Sequence, residues 1–181
     1  MHVTKGPLSG LIILAPKVFK DERGYFFEVY QQEHYQSLGL PLFVQDNFSH
    51  SEENVLRGLH YQYPHAQGKL VWVTKGTVWD VVVDIRTSSP TFGKWFSIIL
   101  SEENHLQMYI PPGFAHGFCV LSSEADFNYQ CTDFYSPQHE RGIAWNDKRL
   151  NISWPINNPI LSPKDQHYPA LHEISNDYLF T

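Results

Sequence analysis

Lys69-Leu70-Val71-Trp72-Val73-Thr74, then Lys75-Gly76, then Thr77-Val78-Trp79-Asp80-Val81-Val82-Val83-Asp84-Ile85-Arg86 is the stretch that decides the fold. Two runs rich in β-branched and aromatic residues flank a short turn, which predicts two strands joined as a hairpin. Side chains alternate across a strand, so Thr77, Trp79, Val81, Val83 and Ile85 share one face, and Val78, Asp80, Val82, Asp84 and Arg86 the other. One face is apolar; the other carries three charges. Such charges ordinarily meet water. In a barrel of strands they can instead line a cavity, with the outer face buried against a second sheet or a partner chain.

Outward from this stretch the same pattern recurs. Strands are predicted at Leu11–Leu14, Tyr25–Tyr30, Phe43–Ser49, Val55–Gln62, Trp95–Leu100, Gln107–Ile110, Gly117–Leu121 and Phe127–Asp133, each bounded by Gly, Pro, Asn or Ser. Many short strands at this spacing mean a sandwich or barrel. Helical pattern is confined to Gln31–Leu38, before Gly39, and a capped turn is predicted at Ser162-Pro163-Lys164-Asp165. With 181 residues, no repeat and no linker, one domain spanning 1–181 is expected, less regular after about residue 145. Aromatics make up 15% of the chain, enough apolar surface to exclude wholesale disorder. A net charge of −6 lacks the basic footprint of nucleic-acid binding. The longest apolar runs fall far short of the roughly 20 residues that span a bilayer, and Met1–Pro7 has no signal core. A cytoplasmic protein without a membrane partner is therefore expected, with Cys119 and Cys131 as free buried thiols.

Pro111-Pro112-Gly113-Phe114-Ala115-His116 fits the P-x-G-x-x-H pattern of the cupin jelly roll, in which a turn delivers a histidine into the barrel mouth. Metal-binding cupins take further ligands from an earlier H-x-H. Here that segment reads His60-Tyr61-Gln62, leaving His60 and His116 as two ligands where a metal needs three or four. His65 lies in a turn-like segment and is expected to be solvated. No metal and no cofactor are expected.

The motifs Val55–Gln62 (VLRGLHYQ), Gln67–Val71, Asp80–Arg86, Ser89-Pro90-Thr91-Phe92-Gly93, Ile110–Phe118 (IPPGFAHGF), Tyr135-Ser136-Pro137, Trp145-Asn146-Asp147 and Leu161–Asp165 (LSPKD) run collinearly over roughly residues 10–170. Together they resemble the dTDP-4-dehydrorhamnose 3,5-epimerases. The resemblance implies an all-β cupin-type jelly roll (double-stranded β-helix) with short peripheral helices. It also implies a cofactor-free isomerase of L-rhamnose biosynthesis acting on dTDP-4-dehydro-6-deoxy-D-glucose. A proton beside a C4 ketone is weakly acidic, so its removal needs a base, an acid on the opposite ring face and donors for the enolate oxygen.

Carried over motif by motif, the resemblance implies that His60 is the base and Asp165 its orienting carboxylate, that Tyr129 is the acid, and that Lys69 stands at the C4 oxygen. Arg23 and Arg57 would hold the diphosphate, for which a forked guanidinium is suited. Glu28, Gln45 and Asn47 would contact the nucleoside, and His116, Tyr135, Glu140 and Lys164 other parts of the substrate. A homodimer exchanging N-terminal strands is implied. Phe134 departs from the pattern, since a second tyrosine is common beside Tyr135.

Strict alternation places Arg57 and His60 on opposite faces of one strand, although both are wanted in one cavity. Gly58 permits a β-bulge, so an irregularity is predicted at 57–59. Asp80 and Asp84 are expected on the cavity face, with Asp84 paired to Lys69 or Arg86. Three alternatives accompany the leading reading. They are a C3-only epimerase or ketoisomerase on a related dTDP-4-keto-hexose, a non-catalytic nucleotide-sugar-binding jelly roll, and a metal-dependent cupin. The second is disfavoured by the presence of both His60 and Tyr129.

Overall fold

The computed structural model describes residues 1–181. In chain order the elements are β1 (His2–Lys5), β2 (Ile12–Ala15), β3 (Phe19–Asp21), β4 (Gly24–Phe26), α1 (Gln32–Ser37), β5 (Gln45–Glu52), β6 (Leu56–Gln62), β7 (Lys69–Lys75), β8 (Thr77–Asp84), β9 (Trp95–Ser101), β10 (Gln107–Ile110), β11 (Phe114–Val120), β12 (Glu124–Cys131) and β13 (Glu140–Gly142). One sheet has the order β1-β2-β10-β7-β12-β5, the other β13-β6-β11-β8-β9, and β3–β4 form a separate ribbon. Between β5 and β12 the chain changes sheet at every step except β8 to β9. That winding is a cupin-type jelly roll.

The expected hairpin at 69–86 is therefore corrected. β7 and β8 do not pair; Gly76, at φ +75°, turns the chain from one sheet to the other. Glu102 brackets the corner, its Oε1 accepting the Gly76 N–H at 2.9 Å while its own N–H donates to the Gly76 carbonyl at 3.0 Å. A Cβ at position 76 would lie 2.0 Å from the Glu124 carbonyl oxygen, so the corner requires glycine. A short turn between apolar runs is the same signal for a hairpin and for an arch between packed sheets. In both, the runs share a core.

Both faces of β8 are buried. Val78 and Val82 point between the sheets with Val71, Val73, Leu100, Met108 and Phe127. Val81, Val83 and Ile85 point outward beneath Leu150, Leu171 and Leu179 of the C-terminal segment. Two covered faces explain why Val81-Val82-Val83 reads as a continuous apolar run. Beyond Gly142 the chain is turns and short 3-10 segments that supply this cover. On the other sheet, Leu14, Leu70 and Tyr109 lie under Tyr35 of α1 and Leu40.

Asp84 does not reach the cavity, correcting the expected placement. Its fully buried carboxylate accepts bonds from Arg86 at 2.7 and 2.8 Å and from Ser89 and Thr91 at 2.6 Å. Burial raises its pKa, but these donors outweigh burial and hold it down at about 2. Strands β1, β3 and β13 were not predicted, and Tyr25–Tyr30 shortens to Gly24–Phe26. Both cysteines are free and buried. No helix is long and apolar enough to cross a membrane.

Candidate active site

A cavity of about 490 Å³ opens between the two sheets, within the usual size of small-molecule sites. Phe118 and Phe127, stacked at 4.1 Å, close its inner end. From the five-stranded sheet come Arg57 and His60 on β6, His116 on β11 and Glu140 on β13. From the six-stranded sheet come Gln45 and Asn47 on β5, Lys69 on β7, and Tyr129 and Cys131 on β12. Tyr135, Lys164 and Asp165 complete the lining from the loops.

The predicted irregularity at 57–59 is what admits both Arg57 and His60. His116 pairs with His60 and Phe118 with Arg57, so β6 spends one residue more than β11 over the same interval. Gly58 sits there at φ +132°, with its Cα so close to β11 that an added Cβ would be 2.5 Å from Gly117 Cα. Only glycine fits.

His60 Nε2 lies 2.5 Å from Asp165 Oδ1, and the Asp165 side chain is only 3% exposed. Asp165 is held in turn by the Ser162 hydroxyl, which donates to Oδ2 at 2.8 Å and accepts the Asp165 N–H at 3.1 Å, the capped turn expected at 162–165. Burial raises the Asp165 pKa, but the bond and charge of His60 and the bond from Ser162 outweigh it and leave the carboxyl below its ordinary range. With Nε2–H donating to Asp165, Nδ1 is the ring nitrogen with a free lone pair. Tyr168 packs edge-on against the imidazole at 5.7 Å.

Across the cavity, burial pushes the Tyr129 phenol pKa up. The Lys69 ammonium is 5.9 Å from the Tyr129 ring centre. Desolvation lowers the Lys69 pKa, opposed by Cys131, Glu140 and Asp80. At the rim, Glu140 accepts from Tyr135 Oη at 2.6 Å and Lys164 Nζ at 2.5 Å. Burial raises its pKa, but these two bonds outweigh burial and hold it down. Gln45 Nε2 donates to Asn47 Oδ1 at 2.9 Å, and Arg57 donates to the Ser51 hydroxyl at 3.0 Å.

The model of the dTDP-4-dehydrorhamnose 3,5-epimerase family matches residues 5–173. The chain belongs to that family. A dTDP-4-dehydrorhamnose 3,5-epimerase from Shigella flexneri is 56% identical over 91% of this chain and 93% of its own. The crystal structure of a 3,5-epimerase from Legionella pneumophila in complex with dTDP-4-keto-L-rhamnose superposes with a TM-score of 0.96 at 50% identity, covering 99% of this chain and 97% of that one. A dTDP-4-dehydrorhamnose 3-epimerase from Streptomyces niveus shares 38% over 92% of this chain and 82% of its own.

Two residues expected to touch substrate stand outside this epimerase cavity. Arg23, at the tip of the β3–β4 ribbon, is 85% exposed and pairs with Asp21 at 2.6 Å. Glu28 faces His34 Nδ1 at 3.1 Å. The ribbon pairs only with itself, so the chain's own path carries both away from the site. Other lining residues were missed. Ser49 extends the polar row of Gln45 and Asn47 along the inward face of β5, a period-two signal present in the sequence. Gln62, weighed earlier only as an absent metal ligand, ties the rim by donating to the Phe134 carbonyl at 3.1 Å and accepting the Ser136 N–H at 2.8 Å. Phe134 itself is 65% exposed. His65 is exposed, and no three His, Cys, Asp or Glu side chains converge in a metal-binding arrangement.

Proposed function

We propose that this enzyme inverts C3 and C5 of dTDP-4-dehydro-6-deoxy-D-glucose to give dTDP-4-dehydro-L-rhamnose, in the cytoplasm, for L-rhamnose synthesis. The observation that carries the reading is that His60 and Tyr129 rise from opposite sheets and line one cavity. A hexose between them presents one face to each. His60 Nδ1 takes the proton beside the C4 ketone, and Asp165 stabilises the imidazolium that results. Charge moves to the C4 oxygen, where Lys69 offsets it. The Tyr129 phenol returns a proton from the other face. Its raised pKa keeps it protonated near neutrality, as an acid must be. Repetition at the second carbon completes the inversion.

Arg57 serves the diphosphate, Gln45 and Asn47 the nucleoside, and Tyr135, Glu140 and Lys164 the cavity mouth. Arg23 and Glu28 fit the same reading if two chains exchange N-terminal strands, so that each ribbon delivers them to its partner's cavity. The exposure of Phe19, Tyr25 and Phe26 on the ribbon supports such a homodimer. Turnover of the 4-keto sugar in deuterated water tests the function. Label at both C3 and C5 is expected. Label at C3 alone would make the chain a single epimerase, and at neither a binding module. Higher identity to the 3,5-epimerases than to the 3-epimerase favours the first outcome.

A further inference from the structure

The site contains a second histidine–carboxylate pair for which the reaction above has no stated use. His116 Nε2 lies 2.8 Å from Asp80 Oδ2, with side-chain exposures of 8% and 0%. His116 is the cross-strand partner of His60, so the two imidazoles stand side by side on the same wall. The face of His116 rests on Phe127 at 6.0 Å and 28°, which with Asp80 fixes the ring from two directions. Asp80 Oδ1 has no hydrogen-bond partner at all.

A buried carboxylate is costly unless an adjacent cation balances it. Burial pushes the Asp80 pKa up, and two groups oppose it, His116 by direct bond and Lys69 from the facing sheet. If the pair served only to satisfy a core histidine, a neutral serine or asparagine would do so without burying charge. With Nε2–H committed to Asp80, any further proton on His116 goes to Nδ1, the nitrogen no protein group occupies. Imidazolium and carboxylate together are net neutral, a state that a buried site tolerates.

Resting on the epimerase reading, we propose that Asp80 is a positioning residue for the reaction. It orients and charge-balances His116, so that His116 Nδ1–H joins Lys69 in donating to the C4 oxygen as the enolate forms. His116 then contacts the reacting carbonyl, and Asp80 acts through it. No proton leaves His116 in this role; it remains a donor throughout.

The test is a double-mutant cycle on the full chain, read as deuterium incorporation into the 4-keto sugar. Asp80→Asn keeps the shape but removes the charge. It is expected to lower kcat about 10²–10³-fold, the effect of losing one preorganised oxyanion donor, with KM and dTDP affinity within about threefold. His116→Gln should lose a similar factor, and the double variant no more than the worse single one. Multiplying losses, or a kcat for Asp80→Asn within twofold of the parent, would overturn the proposal. So would equal losses in kcat and dTDP affinity, which indicate a scaffold. Should Asp80→Asn fail to fold, Asp80→Ser in the same cycle decides, with thermal unfolding recorded for each variant. Failure of the parent chain to label the sugar would instead defeat the epimerase reading, so the two failures are distinct.

Discussion

The cavity wall and the N-terminal ribbon both carry charged residues among aromatics, yet their surroundings differ completely. On the wall, several polar side chains are each held by a second group. His60 is held by Asp165, Asp165 by Ser162, His116 by Asp80 and Glu140 by Lys164. On the ribbon, every residue of β3 and β4 is exposed, and Arg23 has only its near neighbour Asp21. His60, Asp165, Tyr129 and Lys69 thus come together within one chain. Arg23 and Glu28 do not join them, and the physical difference is burial. A side chain between two sheets has its rotamer dictated by packing, whereas one on a lone two-stranded ribbon does not.

The sharpest attempt to break this contrast is His60→Ala. It is expected to lower deuterium incorporation on the order of 10⁴-fold while leaving dTDP affinity, by calorimetry, nearly intact. A parallel loss of affinity would reassign His60 to binding. Next comes the scaffold of the wall. Gly58→Ala introduces a Cβ at φ +132° against Gly117 and should destabilise by about 3 kcal/mol or more, lowering the melting temperature by roughly 6–12 °C. An unchanged transition would show that β6 relaxes without its bulge.

The end of β8 away from the cavity has its own electrostatic signature. The Asp84 pKa is depressed in the folded state to about 2 from 3.8, so its contribution is present above the unfolded value and lost as pH falls through the folded one. At 1.36 kcal/mol per unit that is about 2 kcal/mol, seen as acid-induced loss of urea resistance between roughly pH 5 and 1 and missing in Asp84→Asn. On the ribbon, Arg23→Ala should raise the KM for sugar nucleotide about tenfold, by removal of one charge-assisted contact, with kcat and melting temperature unchanged. A KM that did not move would confine the whole site to one chain. The smallest effect is none: chelators should leave the rate as it is, because the proposed base, acid and enolate donor are all side chains.

Different parts of the molecule were legible to different degrees. Strand content was clear, because the β-branched and aromatic runs at Lys69–Thr74 and Thr77–Asp84 both form strands. The irregularity at 57–59 was legible too, since Gly58 between two needed side chains left the backbone no regular solution. Pairing partners were not. Nothing local distinguishes the arch at Gly76 from a hairpin, and β13, three residues long, is a strand only because β6 lies beside it. Asp80 and Asp84 shared a face in the alternation, but only the fold showed that one meets a cavity histidine and the other Arg86 with two hydroxyls.

The amino-acid order by itself determined the β-rich character, the irregularity at 57–59 and the family, because these depend on residue type at fixed spacing, and through the family it named His60 and Asp165 as a candidate pair. Tertiary structure alone decided which strands share a sheet, that His60 and Tyr129 line one cavity from opposite sheets, that Asp80 bonds His116, and that Arg23 is stranded outside. Those are matters of long-range contact: Asp165 reaches His60 across 105 residues of chain, and no local preference can encode a meeting set by how two sheets close on a common core.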